Sequence, residues 1–527
     1  MLGTPDDPLD PGDSMKGHTR RIGSSRWKCR TLFALGALSV TSLLSSGVQA
    51  EDQQNLNEAI LEILYQDGTI SEVRYRELLN LAQPDSENLK KSETADDKSA
   101  ETDAETDTPK TVAKDKAAQN EKVAEAAKAT PPAKKRRKFK VETGWNGLRV
   151  TSEDGANQFR VGGRLQSDFA VYEGGSTPMN DGTEIRRARI KTQGKLMSDW
   201  EYKLEVNFDP DTQVSLTDAW ISYKGLRPGG VPINLTAGHL KVPFSQQSMS
   251  SSNWQVFQER ALIDSFIDNK DFGRRRLGGI IESYGEHWFA ALGMYSEGPN
   301  PGDRQTEKNN ESFGVATRIG LLPFIEDRKL LSINGGVYYR GFDSDAVLKF
   351  AARPESHVTN TKLVNTGDIT NINSVLLYNM SITGLLGSFH AQAEYTGALV
   401  ERRGGQSTLS FGGFYVQAGY FLTGENRRYD QRFGKYRRVK PNQNFSLRSG
   451  GWGAWEVAAR FSQISLQNQD IAGGREYDVT LGLNWYVNPS ILFRLNYVAA
   501  MTHPTANSLG AINEQINVFE GRMQVVF

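Results

Sequence analysis

The chain of 527 residues has almost no cysteine, no net charge and no long apolar run in its main body. Cys29 is its only cysteine, which excludes a disulfide scaffold and any site built from a cysteine cluster. Lys and Arg together number 62, as do Asp and Glu, so overall charge does not point to nucleic acid. No run of 18 apolar residues occurs beyond position 50, and a helical membrane protein is therefore not expected. The chain is therefore either a soluble protein or a β-barrel, because the alternating strands of a barrel do not give a high mean hydropathy.

The first 50 residues have the pattern of an export signal. Six basic residues precede the apolar stretch Thr31–Leu44, and small residues occupy positions −3 and −1 of a cleavage site after Ala50. We therefore predict a signal peptide over 1–50, with Met15 as the true start because the preceding residues are acidic and rich in proline. A short membrane anchor is the alternative, although the apolar stretch is shorter than the roughly 20 residues that a spanning helix needs.

Two further regions precede the main body of the chain. Apolar residues recur at helical spacing within 51–83, which predicts a helical hairpin or coiled-coil segment; a frayed helix is the alternative for so short a piece. Residues 84–138 almost lack large apolar side chains, so we expect a charged, disordered linker. The basic run Lys134–Lys138 is typical of nuclear import or nucleic-acid binding elsewhere, but after an export signal it indicates a solvated patch near a membrane.

From Phe139 to Phe527 apolar and polar residues alternate with a period of two. In Trp200–Phe208, for example, every second residue is Trp, Tyr, Leu, Val or Phe, and the residues between them are charged or polar. Successive side chains on a strand point to opposite faces, so each strand has one apolar and one polar face. Both a soluble sandwich and an outer-membrane barrel fit this alternation.

Three features favour the barrel. The alternating runs are longer than the ~5–6 residues of average soluble strands and match tilted membrane strands. Aromatic residues such as Trp200, Trp288 and Trp485 lie near strand ends, where interface girdles belong. The last strand places Phe519, Met523 and Phe527 on one face and ends in an aromatic residue, which resembles the signal by which outer-membrane barrels are recognised for assembly. We predict an all-β, transmembrane, antiparallel β-barrel over 139–527.

The number of alternating segments, sixteen or seventeen, predicts a barrel of 16 strands with an aqueous channel, since bacterial single-chain barrels have even strand numbers. The short turns Met197–Asp199 and Val487–Ser490 are predicted to face the periplasm. The longer polar stretches Pro299–Glu311, Asp343–Asn371 and Met501–Asn513 are predicted to be extracellular loops.

One predicted strand, Ile185–Leu196, has a polar face that carries Arg187, Arg189, Lys191 and Lys195, a row that lipid would not tolerate. Rings of Arg or Lys line anion pores, and the planar fork of Arg suits phosphate. Further inward candidates are Arg160, Arg164, Arg318, Arg340, Arg460, Arg494 and Arg522. The barrel region holds 28 Arg and 13 Lys against 39 acidic residues, a net charge of +2. Charges of both signs that merely keep the lumen wet are therefore the alternative to an anion path.

Sequence motifs of catalysis are missing. The chain has no G-x-S-x-G, no Walker A sequence and no H-E-x-x-H, and its six histidines show no metal-ligand spacing. We therefore expect no enzyme, no metal and no cofactor. His239 and His390 are the candidates for the Ser/His pair of a barrel esterase, but a lone histidine on a strand is more often structural.

Several short segments carry a family resemblance, and they are Phe159–Asp168, Arg186–Ile190, Asp199–Lys203, Leu235–Phe244, Glu259–Arg260, Gly413–Glu425, Val439–Pro441 and Gly453–Glu456. Their order and number resemble the phosphate-selective porin O and P family from about Gly144 to Phe527. The resemblance implies a 16-stranded outer-membrane porin, usually a homotrimer. It also implies that the third long loop folds into the channel and that an arginine ladder leads anions to a constricted phosphate or polyphosphate site.

Arginines of that ladder match Arg164, Arg186 and Arg187. Arg186 falls on the apolar face in simple alternation, so the resemblance requires a bulge or a twist near this strand end. The inward loop would be Lys241–Lys270, and Arg260 matches the arginine of its Glu-Arg pair.

The constriction loop departs from the family pattern at one position. Phosphate-selective members have Ser-Ser-Lys-Trp where this chain has Ser251, Ser252, Asn253 and Trp254. The loop lysine that helps to bind phosphate is Asn253 here, so the resemblance supports the pore better than phosphate selectivity.

The sequence thus predicts an outer-membrane porin of a Gram-negative cell that passes small anions, with its N-terminal segment in the periplasm. The expected partners are outer-membrane lipid, two further copies of the chain and the barrel-assembly machinery, which would recognise Phe527; nucleic acid is not expected. A general diffusion porin and a barrel for surface binding or enzymatic activity remain the alternatives.

Overall fold

The computed structural model describes residues 139–208, 214–296, 312–342, 346–503 and 513–527, with a few residues nearer the N-terminus. The chain divides into two compact units, one of Ser14–Ala133 and one of Met1–Asp13 with Lys134–Phe527. Within the predicted hairpin over 51–83, the structure describes Glu72, Tyr75 and Arg76, which are helical. The predicted signal peptide and linker lie almost entirely outside the described residues.

The main body is a closed antiparallel barrel of sixteen strands, which confirms the predicted fold class and strand number. The strands are β1 (Gln158–Glu173), β2 (Gly182–Leu196), β3 (Trp200–Asn207), β4 (Ser215–Leu226), β5 (Ile233–Lys241), β6 (Arg275–Tyr284), β7 (Trp288–Tyr295), β8 (Gly314–Glu326), β9 (Lys329–Gly341), β10 (Ile372–Leu386), β11 (Phe389–Arg402), β12 (Leu409–Phe421), β13 (Ala454–Asn468), β14 (Ile471–Tyr486), β15 (Ile491–His503) and β16 (Glu514–Val526). Each strand pairs with its neighbours in sequence.

The barrel closes where β16 pairs with β1, from Asn517 opposite Glu173 to Val526 opposite Arg164. Beyond this seam, an N-terminal hairpin of Phe139–Gly144 and Gly147–Ser152 pairs with the first residues of β1. We call the end of the barrel that holds Phe527 and this hairpin the terminal end, and the opposite end the loop end.

Alternation along the strands separates two faces, as the sequence predicted. On β3, Trp200 and Leu204 are exposed on the outer face, whereas Glu201, Lys203 and Glu205 are buried inside the barrel. On β16, Phe519, Met523 and the following Phe527 are exposed on the outer face. Trp200, Trp288, Trp455 and Trp485 are all within one residue of a strand terminus at the terminal end, which is the arrangement of an aromatic girdle.

Three long connections fold into the barrel. The inward loop (242–274) leaves the loop end after β5 and contains a helix, α1 (Gln246–Met249), and a 3-10 turn (Leu262–Phe266). The mouth loop, whose described residues are 342 and 346–371, leaves the same end and contains a short pair of strands, Ala351–Ala352 and Val364–Asn365. The long turn (422–453) leaves the terminal end, where a second short pair joins Tyr429–Asp430 to Lys435–Tyr436.

The long turn has no counterpart in the sequence-based prediction, which assigned short turns to this end and long loops to the other. Met197–Asp199 and Val487–Ser490 do connect strands at the terminal end, and the mouth loop corresponds to Asp343–Asn371 at the loop end. Most of the predicted loops Pro299–Glu311 and Met501–Asn513 lies outside the described residues. The first residues of the second loop, Met501 to His503, belong to β15.

An apolar core lies inside the barrel rather than between sheets. Phe244 and Phe266 of the inward loop pack with Phe350 of the mouth loop and with inward residues of β9 to β13 such as Phe411. The Phe266 and Phe350 rings meet edge to face with centroids 5.2 Å apart. This core fills part of the lumen, and buried charged side chains line the rest, among them Glu205 of β3, Arg318 of β8 and Arg522 of β16. None of the helices in the described ranges has the length and hydropathy to cross a bilayer.

Candidate functional site

Cations on β2 line two cavities, one above the other. Near the loop end, an upper cavity of about 210 Å³ lies between the inward loop, the mouth loop and Arg186. Further towards the terminal end, a lower cavity of about 20 Å³, enough for about one water molecule, is lined by Arg189 and Lys191 of β2. One strand thus supplies positive charge to both cavities, Arg189 and Lys191 through the alternation of its inward side chains and Arg186 through a bulge.

Arg164 connects the barrel wall to the inward loop in the lower cavity. Its Nη1 donates to Oδ1 of Asn253 at 2.8 Å and to Oγ of Ser252 at 2.9 Å, and its Nη2 donates to Oε1 of Glu205 at 2.8 Å. Asn253, which occupies the position of the family's loop lysine, is therefore in direct contact with Arg164. Trp254, the next residue, also lines this cavity and is 7% exposed.

Glu205 holds two of the arginines in place. It accepts from Arg164 and also from Nη1 of Arg189 at 2.9 Å, while Nε of Arg189 donates to Asn207 at 3.0 Å. Lys203 lies 3.4 Å from the other oxygen of Glu205. A carboxylate among several cations fixes their geometry but also neutralises part of their charge.

In the upper cavity Arg186 occupies a bulge. Gln166 of β1 pairs with Arg187 and Ser167 pairs with Ile185, so Arg186 is the extra residue between them. Of the bulge or twist that the resemblance required, the structure has a bulge. It turns Arg186 into the lumen, where its Nε and Nη2 donate to the two oxygens of Glu259 at 3.0 and 3.3 Å. Arg187 donates to Gln166 at 2.9 Å and lies 3.8 Å from Glu259.

Arg260 lies in the same upper cavity but points back into its own loop. Its Nε donates to the carbonyl of Gln247 at 3.2 Å and its Nη2 to that of Ser250 at 3.3 Å, and Asp264 is 3.7 Å away. Next to it, burial opposes ionisation of Glu259, but the nearby arginines of β2 and β16 outweigh burial and hold its pKa well below the usual range. The carboxylate therefore stays charged.

Other inward arginines predicted from the sequence support the inserted segments. Arg494 donates to the carbonyls of Phe257 and Gln255 at 2.9 and 2.7 Å. Arg522 pairs with Asp168 and also reaches the carbonyl of Gln258. The others are Arg460, which donates to Glu355 of the mouth loop, and Arg318, which donates to the carbonyls of Phe433 and Gly434 in the long turn. These donors satisfy carbonyls that strand pairing leaves without partners.

The predicted site residues are therefore divided between two places. Arg164, Arg189, Lys191, Asn253 and Trp254 meet in the lower cavity, whereas Arg186 and Arg260 line the upper one. Arg187 lies beside Arg186 without lining either cavity. Sequence reasoning missed Glu205 and Glu259, although Glu205 lies on the polar face of a recognised strand and Glu259 forms the Glu-Arg pair. It also missed Arg438 of the long turn, which lines the lower cavity and had no periodic pattern to reveal it.

The two histidines considered for catalysis face the barrel interior. His390 is fully buried with its Nε2 2.7 Å from Oε1 of Glu456, and His239 is 7% exposed. Within the described ranges no group of three or more His, Cys, Asp or Glu side chains could hold a metal ion.

Comparison with known proteins identifies relatives of this barrel. Residues 159–527 match the family described as phosphate-selective porin O and P. The chain is 27% identical over 418 residues to Porin O of Pseudomonas aeruginosa, which covers 72% of this chain and 91% of the relative. It is 28% identical over 420 residues to an uncharacterised protein of Caulobacter vibrioides, which covers 76% of this chain and 80% of the relative.

Solved outer-membrane proteins are also similar to this chain at low identity. The anion-selective porin from Comamonas acidovorans has 11% identity and a TM-score of 0.46, covering 70% of this chain and all of that one. OmpT of Vibrio cholerae has 10% identity and a TM-score of 0.45, covering 71% of this chain and 98% of that one.

Proposed function

Because the chain belongs to the phosphate-selective porin O and P family, it forms a channel in the outer membrane, and we propose that this channel carries small anions by passive diffusion. The family and the barrel favour a channel over an enzyme. The proposal concerns which solutes pass and where they bind.

The lining of the lower cavity is the observation that supports anions. Among its described residues are four cations, Arg164, Arg189, Lys191 and Arg438, and one carboxylate, Glu205. Fixed cations in a narrow, partly desolvated path raise the local anion concentration. Arg also presents a planar set of donors that matches phosphate oxygens.

Phosphate is expected to bind more weakly than in relatives that have the loop lysine. At the corresponding position Asn253 offers an amide oxygen, which already accepts from Arg164. An anion entering here would compete with this acceptor and gain no additional charge from the loop. We therefore infer a preference for small anions in general, with a modest preference for phosphate among them.

A general diffusion porin is the second candidate, and the carboxylate pairing favours it. Arg164 and Arg189 share Glu205, and Arg186 shares Glu259 with Arg522. Pairing with carboxylates at these distances cancels much of the positive electrostatic potential that these arginines would otherwise exert on an anion. Ion selectivity thus separates the two candidates.

The test is the reversal potential of single channels in a planar bilayer under a KCl gradient. Wild type should prefer chloride, and Arg189→Gln should lower that preference because it removes a lining cation and leaves Glu205 less neutralised. Arg227→Gln, in an exposed turn at the terminal end, is the control and should behave as wild type. A cation-selective wild type, or equal behaviour of the two variants, supports the general diffusion porin instead.

A second measurement concerns phosphate. Asn253→Lys should tighten the block of chloride current by phosphate, since it adds a charge-assisted hydrogen bond of about 1.5–3 kcal/mol, or roughly one to two powers of ten in affinity. Asn253→Gln keeps a neutral amide and is the matched control. Equal phosphate block in the two variants would show that the loop position does not contact the anion.

We also propose that the terminal end faces the periplasm, together with residues 51–138, and that the channel assembles as a homotrimer surrounded by outer-membrane lipid. The supports are the family and the aromatic girdle. Native electrophoresis after cross-linking should give a species of three chains; a monomer under conditions that preserve conductance would refute the trimer.

A further inference from the structure

The N-terminal hairpin is fixed against the barrel at the terminal end. Its second strand pairs with β1 from Leu148 opposite Val161 to Thr151 opposite Gln158. Gly147 has a positive φ of 84°, and a Cβ there would lie 2.0 Å from the carbonyl oxygen of Val161. Only glycine permits so close an approach, so the turn of the hairpin, which holds Trp145, has a defined position.

Arg438 of the long turn lies between two tryptophan rings. Its guanidinium carbon is 4.7 Å from the ring centroid of Trp145 and 4.7 Å from that of Trp254. Its Nη1 donates to the backbone carbonyl of Trp145 at 2.6 Å. Both distances are within the range in which a cation is attracted to an aromatic face.

This sandwich joins three parts of the chain that are far apart in sequence. Trp145 comes from the N-terminal hairpin, Arg438 from the long turn and Trp254 from the tip of the inward loop. Arg438 is 5% exposed and Trp254 is 7% exposed, so the stack is enclosed. Both residues line the lower cavity, where Arg164 contacts Asn253.

We propose that Trp145 is a positioning residue of the pore: by stacking on Arg438 against Trp254, it holds the guanidinium at the anion path of the lower cavity. The N-terminal hairpin then belongs to the selectivity-determining part of the channel and does more than extend the barrel wall. The proposal rests on the anion path proposed above and assigns one of its cations to a support outside the sixteen strands.

The test compares Trp145→Leu with Trp145→Phe in single channels of the full-length protein. Trp145→Leu removes the aromatic face and should weaken phosphate block about threefold to tenfold, the change expected when the cation–π contact with Arg438 is lost, and should lower the chloride preference. Trp145→Phe keeps an aromatic face and should retain most of the phosphate block and most of the chloride preference. Trp452→Leu, an exposed tryptophan at the same end, is the matched control and should leave both unchanged.

A double substitution separates positioning from general damage. If Trp145 acts through Arg438, Trp145→Leu should have no further effect on selectivity in an Arg438→Gln background. The shift of folded barrel on gels after heating should be normal in every variant used. Should Trp145→Leu fail to fold, Arg438→Lys provides the same test, because it retains the charge but loses the planar stack.

Two results would overturn the proposal. If Arg438→Gln lowers chloride preference and phosphate block but Trp145→Leu matches wild type, the hairpin has no part in selectivity, while the anion channel stands. If wild type shows neither chloride preference nor phosphate block, the proposed function itself fails, and the positioning role fails with it.

Discussion

Arginine side chains inside this barrel have three kinds of surroundings. Arg164 and Arg189 face a cavity while sharing Glu205. Arg494 donates to backbone carbonyls of the inward loop. Arg427 pairs with the fully buried Glu456. The same residue type thus faces a cavity or supports the loops, and which it does depends on the groups within hydrogen-bond distance.

Buried carboxylates divide in a similar way, and this predicts opposite effects on stability. Asp478 on β14 is fully buried, and neither carboxylate oxygen has a hydrogen-bond partner among the described residues. Asp478→Asn should therefore raise the temperature at which the barrel unfolds, because ionising a buried carboxyl group without a partner costs about 1–3 kcal/mol or more, and an amide cannot ionise. The measurement is the heating temperature at which the protein changes mobility on a gel.

Glu355 provides the matched comparison for this prediction. It lies nearby in the mouth loop and accepts from Ser462 at 2.5 Å and from Thr480 at 2.6 Å, as well as from Arg460. Glu355→Gln should lower the unfolding temperature, since it weakens these bonds and leaves Arg460 partly unpaired. If Asp478→Asn lowers the unfolding temperature as much as Glu355→Gln does, Asp478 has a favourable partner, and the prediction that its carboxyl group destabilises the barrel is wrong.

At the scale of elements, the three inserted segments support one another. Arg427 of the long turn donates to the carbonyl of Trp254 in the inward loop at 3.0 Å, and the backbone N–H of Tyr436 donates to Ser250 at 3.3 Å. Phe350 of the mouth loop packs on Phe266 of the inward loop. The width of the lumen therefore depends on all three segments.

The contact between Arg427 and Glu456 predicts how the long turn is held. Nη2 of Arg427 donates to both oxygens of Glu456 at 2.7 and 2.9 Å, and both side chains are fully buried. Arg427→Met leaves that carboxylate without its cation and should destabilise the barrel by about 3–5 kcal/mol. It should also raise single-channel conductance, because the long turn loses its anchor in the lumen.

The double variant Arg427→Met with Glu456→Gln is the control for this effect. It removes the unpaired charge, so part of the stability should return while the conductance stays high. Unchanged conductance in both variants would show that other contacts hold the long turn, such as those of Arg318 with the carbonyls of Phe433 and Gly434.

For the whole molecule, closure depends on the last residue. The N–H of Phe527 donates to the carbonyl of Gly163 at 3.0 Å, and the N–H of Gly163 donates to the carbonyl of Phe527 at 2.7 Å. A Cβ at Gly163 would lie 2.5 Å from Cζ of the Phe527 ring. The C-terminal aromatic residue thus completes the seam between β16 and β1.

Phe527→Ser should reduce the amount of folded, heat-modifiable barrel in outer-membrane fractions, both because the seam loses this ring and because the proposed assembly signal loses its terminal aromatic. Phe519→Ser removes an outward aromatic from the same strand without altering the last residue, and it serves as the control. Equal folded yields of the two variants would contradict a special role for the C-terminus in assembly.

The sidedness of the whole molecule predicts protection from protease. If the terminal end faces the periplasm, protease added to intact cells should spare residues 51–138, whereas permeabilised cells should show cleavage between Pro84 and Pro132. The intact outer membrane is the barrier in this experiment. Cleavage of that segment in intact cells would place the terminal end outside.

The sequence alone determined the barrel, because alternation with a period of two has a direct physical meaning: a strand that faces lipid on one side and the lumen on the other must alternate. The same rule correctly assigned the inward faces of β2 and β3. The bulge at Arg186 could also be anticipated, since an arginine on the lipid face is costly enough to demand a local change of register.

Only the tertiary structure decided what each charge does. Inserted loops have no periodicity, so nothing in the sequence showed that the long turn enters the lumen or that Arg438 lies between Trp145 and Trp254. The sequence also could not show that Glu205 neutralises part of the charge of Arg164 and Arg189. These contacts join residues far apart in the chain, and Coulomb and cation–π energies depend on distances that only the folded barrel sets.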